Sequence, residues 1–270
     1  MIINNLKLTI MEQQIINLKK NESVVLSKKN LGDTYNYIYT GLRWGKVVIP
    51  GEKVVEKKRD IVYTGNWIQR FLHIGPCEMR NEEIIVGKTD DKVLDIDLDS
   101  SILLYDKNKE LIDTIYYHNR YSKDGAIRHY GDDLEGSTLD NLENDNEIIR
   151  IDIKKLSKNV SYIVVILNIY QYSDRKKECL VFDKIPFAEM KIYSSNSSDI
   201  RSSSDIKELK TFAKFKMDNN LEFEGNKALV LGAFTKKRNT WEFVTSGEMT
   251  KEMSISQMIS GSVKRFISNL

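Results

Sequence analysis

The stretch Ser161-Tyr-Ile-Val-Val-Ile-Leu-Asn-Ile-Tyr170 decides the fold. It is nearly all apolar and rich in β-branched residues. Such a run suits a strand buried on both faces or central in a sheet. Upstream, Glu147 to Ile153 sets Ile149, Ile151 and Ile153 against Ile148, Arg150 and Asp152, the two-residue period of a strand with two different faces. Working outward, Ser23–Ser27, Tyr35–Thr40, Ser101–Tyr105, Glu110–Tyr117, Phe187–Tyr193, Leu209–Met217, Ala228–Thr235 and Thr240–Thr245 read as further short strands. Many short strands with turn chemistry between them predict an antiparallel sandwich or barrel. Strands do not alternate with long helical patterns, which disfavours a doubly wound parallel sheet.

Two stretches break the series. Residues 46–91 form a mixed insertion with Lys53, Lys57, Lys58, Arg59, Trp67 and Phe71. The tail, residues 248–270, carries Ile255, Met258, Ile259, Val263, Phe266 and Ile267 at helical spacing, which predicts an amphipathic helix. Only Lys251, Lys264 and Arg265 decorate it, so the helix is expected to bury its stripe on protein, within its own domain or on a second copy, rather than on lipid. Residues 1–15 read as an N-terminal extension.

The chain has 270 residues, 41% of them hydrophobic, which suffices for one sizeable core or two small domains. Apolar runs such as Ile163–Leu167 fall far below the roughly 20 residues of a membrane helix. The first twenty residues show no secretory pattern, and Cys77 and Cys179 build neither a disulfide framework nor a zinc site. A net charge of +2 gives no indication of nucleic acid. A soluble cytoplasmic protein, or one peripheral at the inner membrane face, is the expectation.

The charge is unevenly placed. From Asn119 to Glu147 there are eight acids and three bases, a local −5 that leaves +7 on the rest of the chain. Acids so crowded need solvent or a shared cation. The triplet Asp95, Asp97 and Asp99 lies at the spacing of one strand face, but Ser100 and Asp106 stand where an EF-hand needs its glycine and glutamate. Gly125, Gly131 and Gly136 permit tight turns that gather carboxylates and carbonyls, a donor set suited to Ca²⁺. Zinc is disfavoured, since His118 and His129 lack a Cys or a third His.

These residues resemble the tellurium-resistance TerD-type domain family. The resemblance rests on Asp97-Leu98-Asp99-Ser100-Ser101, on Asn119 ahead of Ser122 to His129, on Gly131-Asp132-Asp133 with Gly136, and on Asp145 to Asp152. Leu18 to Ser27 resembles the family's opening strand, and Gly41-Leu42-Arg43-Trp44 its second. Ala228 to Phe234 and Trp241-Glu242-Phe243 resemble its closing strands. The resemblance implies an all-β fold, an antiparallel β-sandwich over residues 16–247, from which the 46–91 insertion and the C-terminal helix are departures. It also implies one or two Ca²⁺ ions and a part in bacterial stress response and tellurite resistance, without established enzymatic activity. The candidate metal ligands are Asp97, Asp99, Asn119, Asp124, Asp132, Asp133, Asp145 and Glu147. The loop Glu135 to Asn144 is poorer in glycine and aspartate than the family pattern.

Two other classes stay open. Paired carboxylates could hold Mg²⁺ for phosphoryl or hydrolytic chemistry, but neither a nucleophile elbow nor a P-loop is present. A calcium-dependent membrane-docking domain would need exposed aromatic or basic tips, for which Tyr121, Tyr130 and Arg120 are the candidates. Partners expected on the family reading are other stress-response proteins, or a second copy through the C-terminal helix.

Overall fold

The computed structural model describes residues 15–27, 35–94, 97–131, 144–170, 181–198, 200, 209, 211–218, 225–238 and 240–270. In chain order its strands are β1 (Ile16–Leu18), β2 (Ser23–Val25), β3 (Tyr37–Trp44), β4 (Val47–Ile49), β5 (Lys53–Tyr63), β6 (Cys77–Lys88), β7 (Lys92–Leu94) and β8 (Leu98–Tyr105). Then follow β9 (Leu111–Ile115), β10 (Ile127–His129), β11 (Glu147–Asp152), β12 (Tyr162–Ile169), β13 (Phe187–Ser195), β14 (Thr211–Asp218), β15 (Ala228–Lys237) and β16 (Thr240–Thr250). The helices are α1 (Trp67–Phe71), α2 (Ile255–Ser260) and α3 (Ser262–Ser268).

Two six-stranded sheets face each other. The first has the order β1-β14-β13-β3-β11-β10 and the second β2-β16-β15-β12-β8-β9. All pairings are antiparallel except β1 with β14. The sandwich expected from the sequence is what forms. Strand β12 lies between β15 and β8 and is buried along nearly its whole length, as its uniform apolarity requires. On β11, Ile149 and Ile151 are buried between the sheets, while Ile148 joins Tyr39 and Tyr193 in a cluster on the outer face of the first sheet.

The outer face of the second sheet is covered by the tail. Met258, Val263, Phe266 and Ile267 pack on Leu103, Tyr105, Val164, Ile166, Val230 and Ala233. Burial of this kind contributes about 1.5–3 kcal/mol per large side chain. The tail differs from the single helix expected over 248–270, because β16 runs on to Thr250 and the helix breaks at Gly261. The Glu252 carboxylate accepts from the Ser262 amide at 3.0 Å and from the Ser262 hydroxyl at 2.5 Å, capping α3. It occupies the space a Cβ on Gly261 would need.

Residues Val48–Leu94 form a separate compact unit. Its β5–β6 hairpin sets Lys57 opposite Glu83, Lys58 opposite Glu82 and Asp60 opposite Arg80, so its charges are largely matched across the strands. At the tip, Asn66 and Gln69 make a capping box that starts α1, which presents Trp67 and Phe71 to solvent. No helix among the described residues is long and apolar enough to cross a membrane.

Candidate functional site

The register of β8 against β12 places Asn168 directly opposite Asp99, and Asp97 lies one two-residue step back along the chain. Strand alternation puts Asp99 and Asn168 on the helix-covered side of the sheet with Leu103 and Ile166, beyond the end of the apolar cluster. Their exposures are 7% for Asp97, 3% for Asp99 and 6% for Asn168. The Asn168 Oδ1 atom is buried without a hydrogen-bond partner. The Tyr170 amide donates to the Asp97 carbonyl at 2.9 Å, and the Tyr170 ring meets Tyr117 edge-on at 5.9 Å. That contact ties the turn carrying Asn119 to this end of the sheet. The Asn119 Nδ2 donates to the Thr114 carbonyl at 2.6 Å, closing the turn.

Asp124, Asp145 and Glu147 lie in different places. Asp124 organises its own loop: Oδ1 accepts from the Ser122 hydroxyl and the Ala126 amide at 2.6 and 2.9 Å, and Oδ2 from the Ser157 amide at 2.8 Å. Partial burial pushes its pKa up, but these hydrogen bonds outweigh that and hold it below the ordinary value. Gly125 beside it has φ +66°, a conformation that the turn needs and that L side chains rarely adopt.

Asp145 sits on the outer face of the first sheet. Its carboxylate accepts from Lys191 Nζ at 2.8 Å and from the Tyr193 hydroxyl at 2.5 Å, and all three groups are buried. Burial, and then the adjacent Asp145 charge, push the Tyr193 pKa well up. Arg43 on β3 and Glu189 on β13 form a second ion pair, at 2.8 Å.

Glu147 points instead between the sheets. Its Oε2 accepts from the Ser100 amide at 2.8 Å and lies 3.6 Å from His129 Nε2, while Oε1 is buried with no partner. Burial pushes its pKa up, opposed by His129 and by Ser100. Ser100 Oγ is 3.1 Å from His129 Nε2, which has the look of a hydrolase constellation. The geometry is the reverse of one. The Gly131 amide donates to His129 Nδ1, so in the neutral ring the proton sits on Nε2 and is offered to Ser100. A base must accept from its nucleophile.

Asp132 and Asp133 lie outside the described residues, as does Gly136. Among the described residues, no three His, Cys, Asp or Glu side chains converge on one point. Of the predicted set, the structure therefore groups Asp97 with Asp99, brings the turn of Asn119 alongside, and separates Asp124, Asp145 and Glu147. Sequence reasoning missed Asn168 and Lys191. Asn168 had a signal, as the one amide inside the apolar run 161–170; Lys191 had none, since its counter-charge is 46 residues away.

The sequence model of the TerD domain matches residues 78–260, more than half of the chain. The chain is 26% identical over 167 residues to the stress response protein SCP2 of Bacillus subtilis (strain 168), covering 61% of this chain and 74% of that one. It is 23% identical over 172 residues to the tellurium resistance protein TerZ of Serratia marcescens, covering 64% and 76%. Among solved structures, a homologue of the telluride resistance protein TerD from Streptomyces coelicolor A3(2) aligns with a TM-score of 0.47 at 14% identity. That alignment spans 83% of this chain and 95% of the other.

Proposed function

The chain belongs to the TerD domain family, and from that premise we propose that it is a calcium-binding, non-enzymatic module of a bacterial stress-response and tellurium-resistance system. The stress-response role follows the named roles of its relatives. The calcium reading is carried by one observation: two carboxylates, Asp97 and Asp99, and the partnerless Asn168 Oδ1 are buried at one end of a sheet. A cation beside buried anionic oxygen offsets the cost of taking that oxygen out of water. The donors are all hard oxygens, which fits Ca²⁺ better than Zn²⁺. When bound, the ion would supply positive charge that ties the start of β8 to the end of β12.

A non-enzymatic role is supported by the arrangement at Ser100, where the nearest histidine donates rather than accepts and the serine is fully buried. The same reading includes a cytoplasmic site of action and other stress-response proteins as partners.

Thermal melting in chelator, then in Ca²⁺ or Mg²⁺, tests the metal. A ligand present at 100 times its dissociation constant adds about 2.7 kcal/mol to the folded state. The expected result is a Ca²⁺-dependent rise in Tm, smaller with Mg²⁺ and abolished in Asp99→Asn and Asn168→Leu. Asp106→Asn should keep the response, because Asp106 only closes the turn to Asn108 and Glu110. Melting curves indifferent to both chelator and millimolar Ca²⁺ would sink the proposal.

A further inference from the structure

We propose a second binding site, for a phosphate-type oxyanion, on the outer face of the first sheet between Arg128 and Arg150. These residues are direct cross-strand partners in the β10–β11 register. Their neighbours Ile127, His129, Ile149 and Ile151 are buried inward, so both arginines project outward from adjacent strands. Directly opposed residues of an antiparallel pair have Cβ atoms roughly 4.5–5.5 Å apart, and like charges in that relation repel.

Among the described residues neither guanidinium forms an ion pair, and Arg128 makes no hydrogen bond. Arg150 has one long contact, Nη1 to the Ser198 carbonyl at 3.5 Å, while its Nε is buried with no partner. Asp152, the acid nearest along β11, accepts at Oδ1 from the amides of Lys154 and Lys155.

What surrounds the pair is aromatic. The Arg128 guanidinium lies 4.5 Å from the Tyr130 ring centre and 5.5 Å from that of Tyr121, and Arg150 lies 5.6 Å from that of Tyr37. Ring faces hold a guanidinium in place and leave its in-plane N–H donors free. The Tyr130 hydroxyl is also buried and partnerless. Two opposed forks, an orphan Nε and an orphan hydroxyl make a donor set that matches a dianionic tetrahedral group, whose charge would turn the Arg–Arg repulsion into attraction.

The site stands on observations independent of the calcium reading, and its test keeps chelator present throughout. Calorimetric titration of the full chain would use inorganic phosphate and adenosine monophosphate, against sodium chloride at matched ionic strength. Binding of at least one phosphate probe is expected. Phosphate bound as well as the nucleotide identifies the free anion as sufficient; binding of the nucleotide alone identifies a phosphate ester. In either case Arg128→Gln and Arg150→Gln should each weaken binding at least about tenfold, as expected for charge-assisted contacts. Arg150→Lys keeps the charge but removes the fork and should also weaken it, and Tyr130→Phe should cost a few-fold. Far-UV circular dichroism of each variant checks that the sheet persists. If neither probe binds, or if folded Arg128→Gln and Arg150→Lys bind like the parent, the proposal is overturned.

Discussion

Substituting Gly41 by alanine should be severely destabilising, although Gly41 sits mid-strand where glycine is usually a weakness. A Cβ at that position would fall on the Asp145 carboxylate, 2.5 Å from its carbon, and 2.9 Å from the Tyr193 ring. Asp145 has a short side chain, and Lys191 and Tyr193 both hold it, so it cannot swing aside cheaply. Displacing it leaves the Lys191 ammonium, whose side chain is 8% exposed, without its counter-ion. Breaking a buried pair in this way costs about 3–5 kcal/mol, out of a typical total of about 5–15. At about 2–4 °C per kcal/mol for a domain of this size, Tm should fall on the order of 10 °C. Urea unfolding at constant m-value separates lost stability from a changed unfolded state. Asp145→Leu should behave like Gly41→Ala, whereas Asp145→Leu with Lys191→Met should recover most of the loss, because no charge is then stranded. A Gly41→Ala protein melting within 1 °C of the parent, by about a tenth of the shift expected, would refute this account of the glycine.

Two further outcomes follow from the packing and the titration of buried groups. Met258→Ala removes a fully buried side chain between the tail and β8, β12 and β15, and should cost about 2–5 kcal/mol in urea unfolding. Because burial raises the folded-state pKa of Glu147 above its ordinary value near 4.5, the folded state binds its proton more tightly than the unfolded chain. This contribution to stability is complete below the unfolded pKa and is lost as pH rises through the folded one. Glu147→Gln keeps an acceptor for the Ser100 amide and removes the titration. The stability of the parent relative to Glu147→Gln should therefore decline as pH rises from the ordinary glutamate range; a flat or rising difference contradicts the burial argument.

How much was legible follows from where each element buries its side chains. Strand β12 was plain because both its faces are interior, and β11 because Ile149 and Ile151 alternate with Arg150 and Asp152. The β5–β6 hairpin is not legible as strands. It buries neither face, so no hydrophobic period marks it, and Lys57-Lys58-Arg59-Asp60 looks the same in a loop. The tail's stripe was visible, yet the break at Gly261 depends on Glu252 folding back, which helical spacing does not encode. At the candidate site, the acids were evident as residue types but their surroundings were not. Sequence places Asp145 and Glu147 two residues apart; the fold sends one to a lysine on the outer face and the other between the sheets. For this pair, adjacency in sequence does not become adjacency in space.

The inserted unit leaves and rejoins the chain through β4 and β7, which pair with each other in a two-stranded sheet. Just beyond that pair, the Glu52 amide donates to the Thr89 hydroxyl and the Thr89 amide to the Glu52 carbonyl. The two ends of a stretch of nearly fifty residues are thus already stitched together at its root. Closing a loop costs entropy that grows only slowly with its length, and here the closure is made by backbone pairing rather than by whatever lies beyond it. Length and content past Glu52 and Thr89 are then nearly free variables. An ancestral chain could acquire, enlarge or exchange this element without altering a rung of either large sheet, and the position is a natural splice point for a fluorescent or affinity domain.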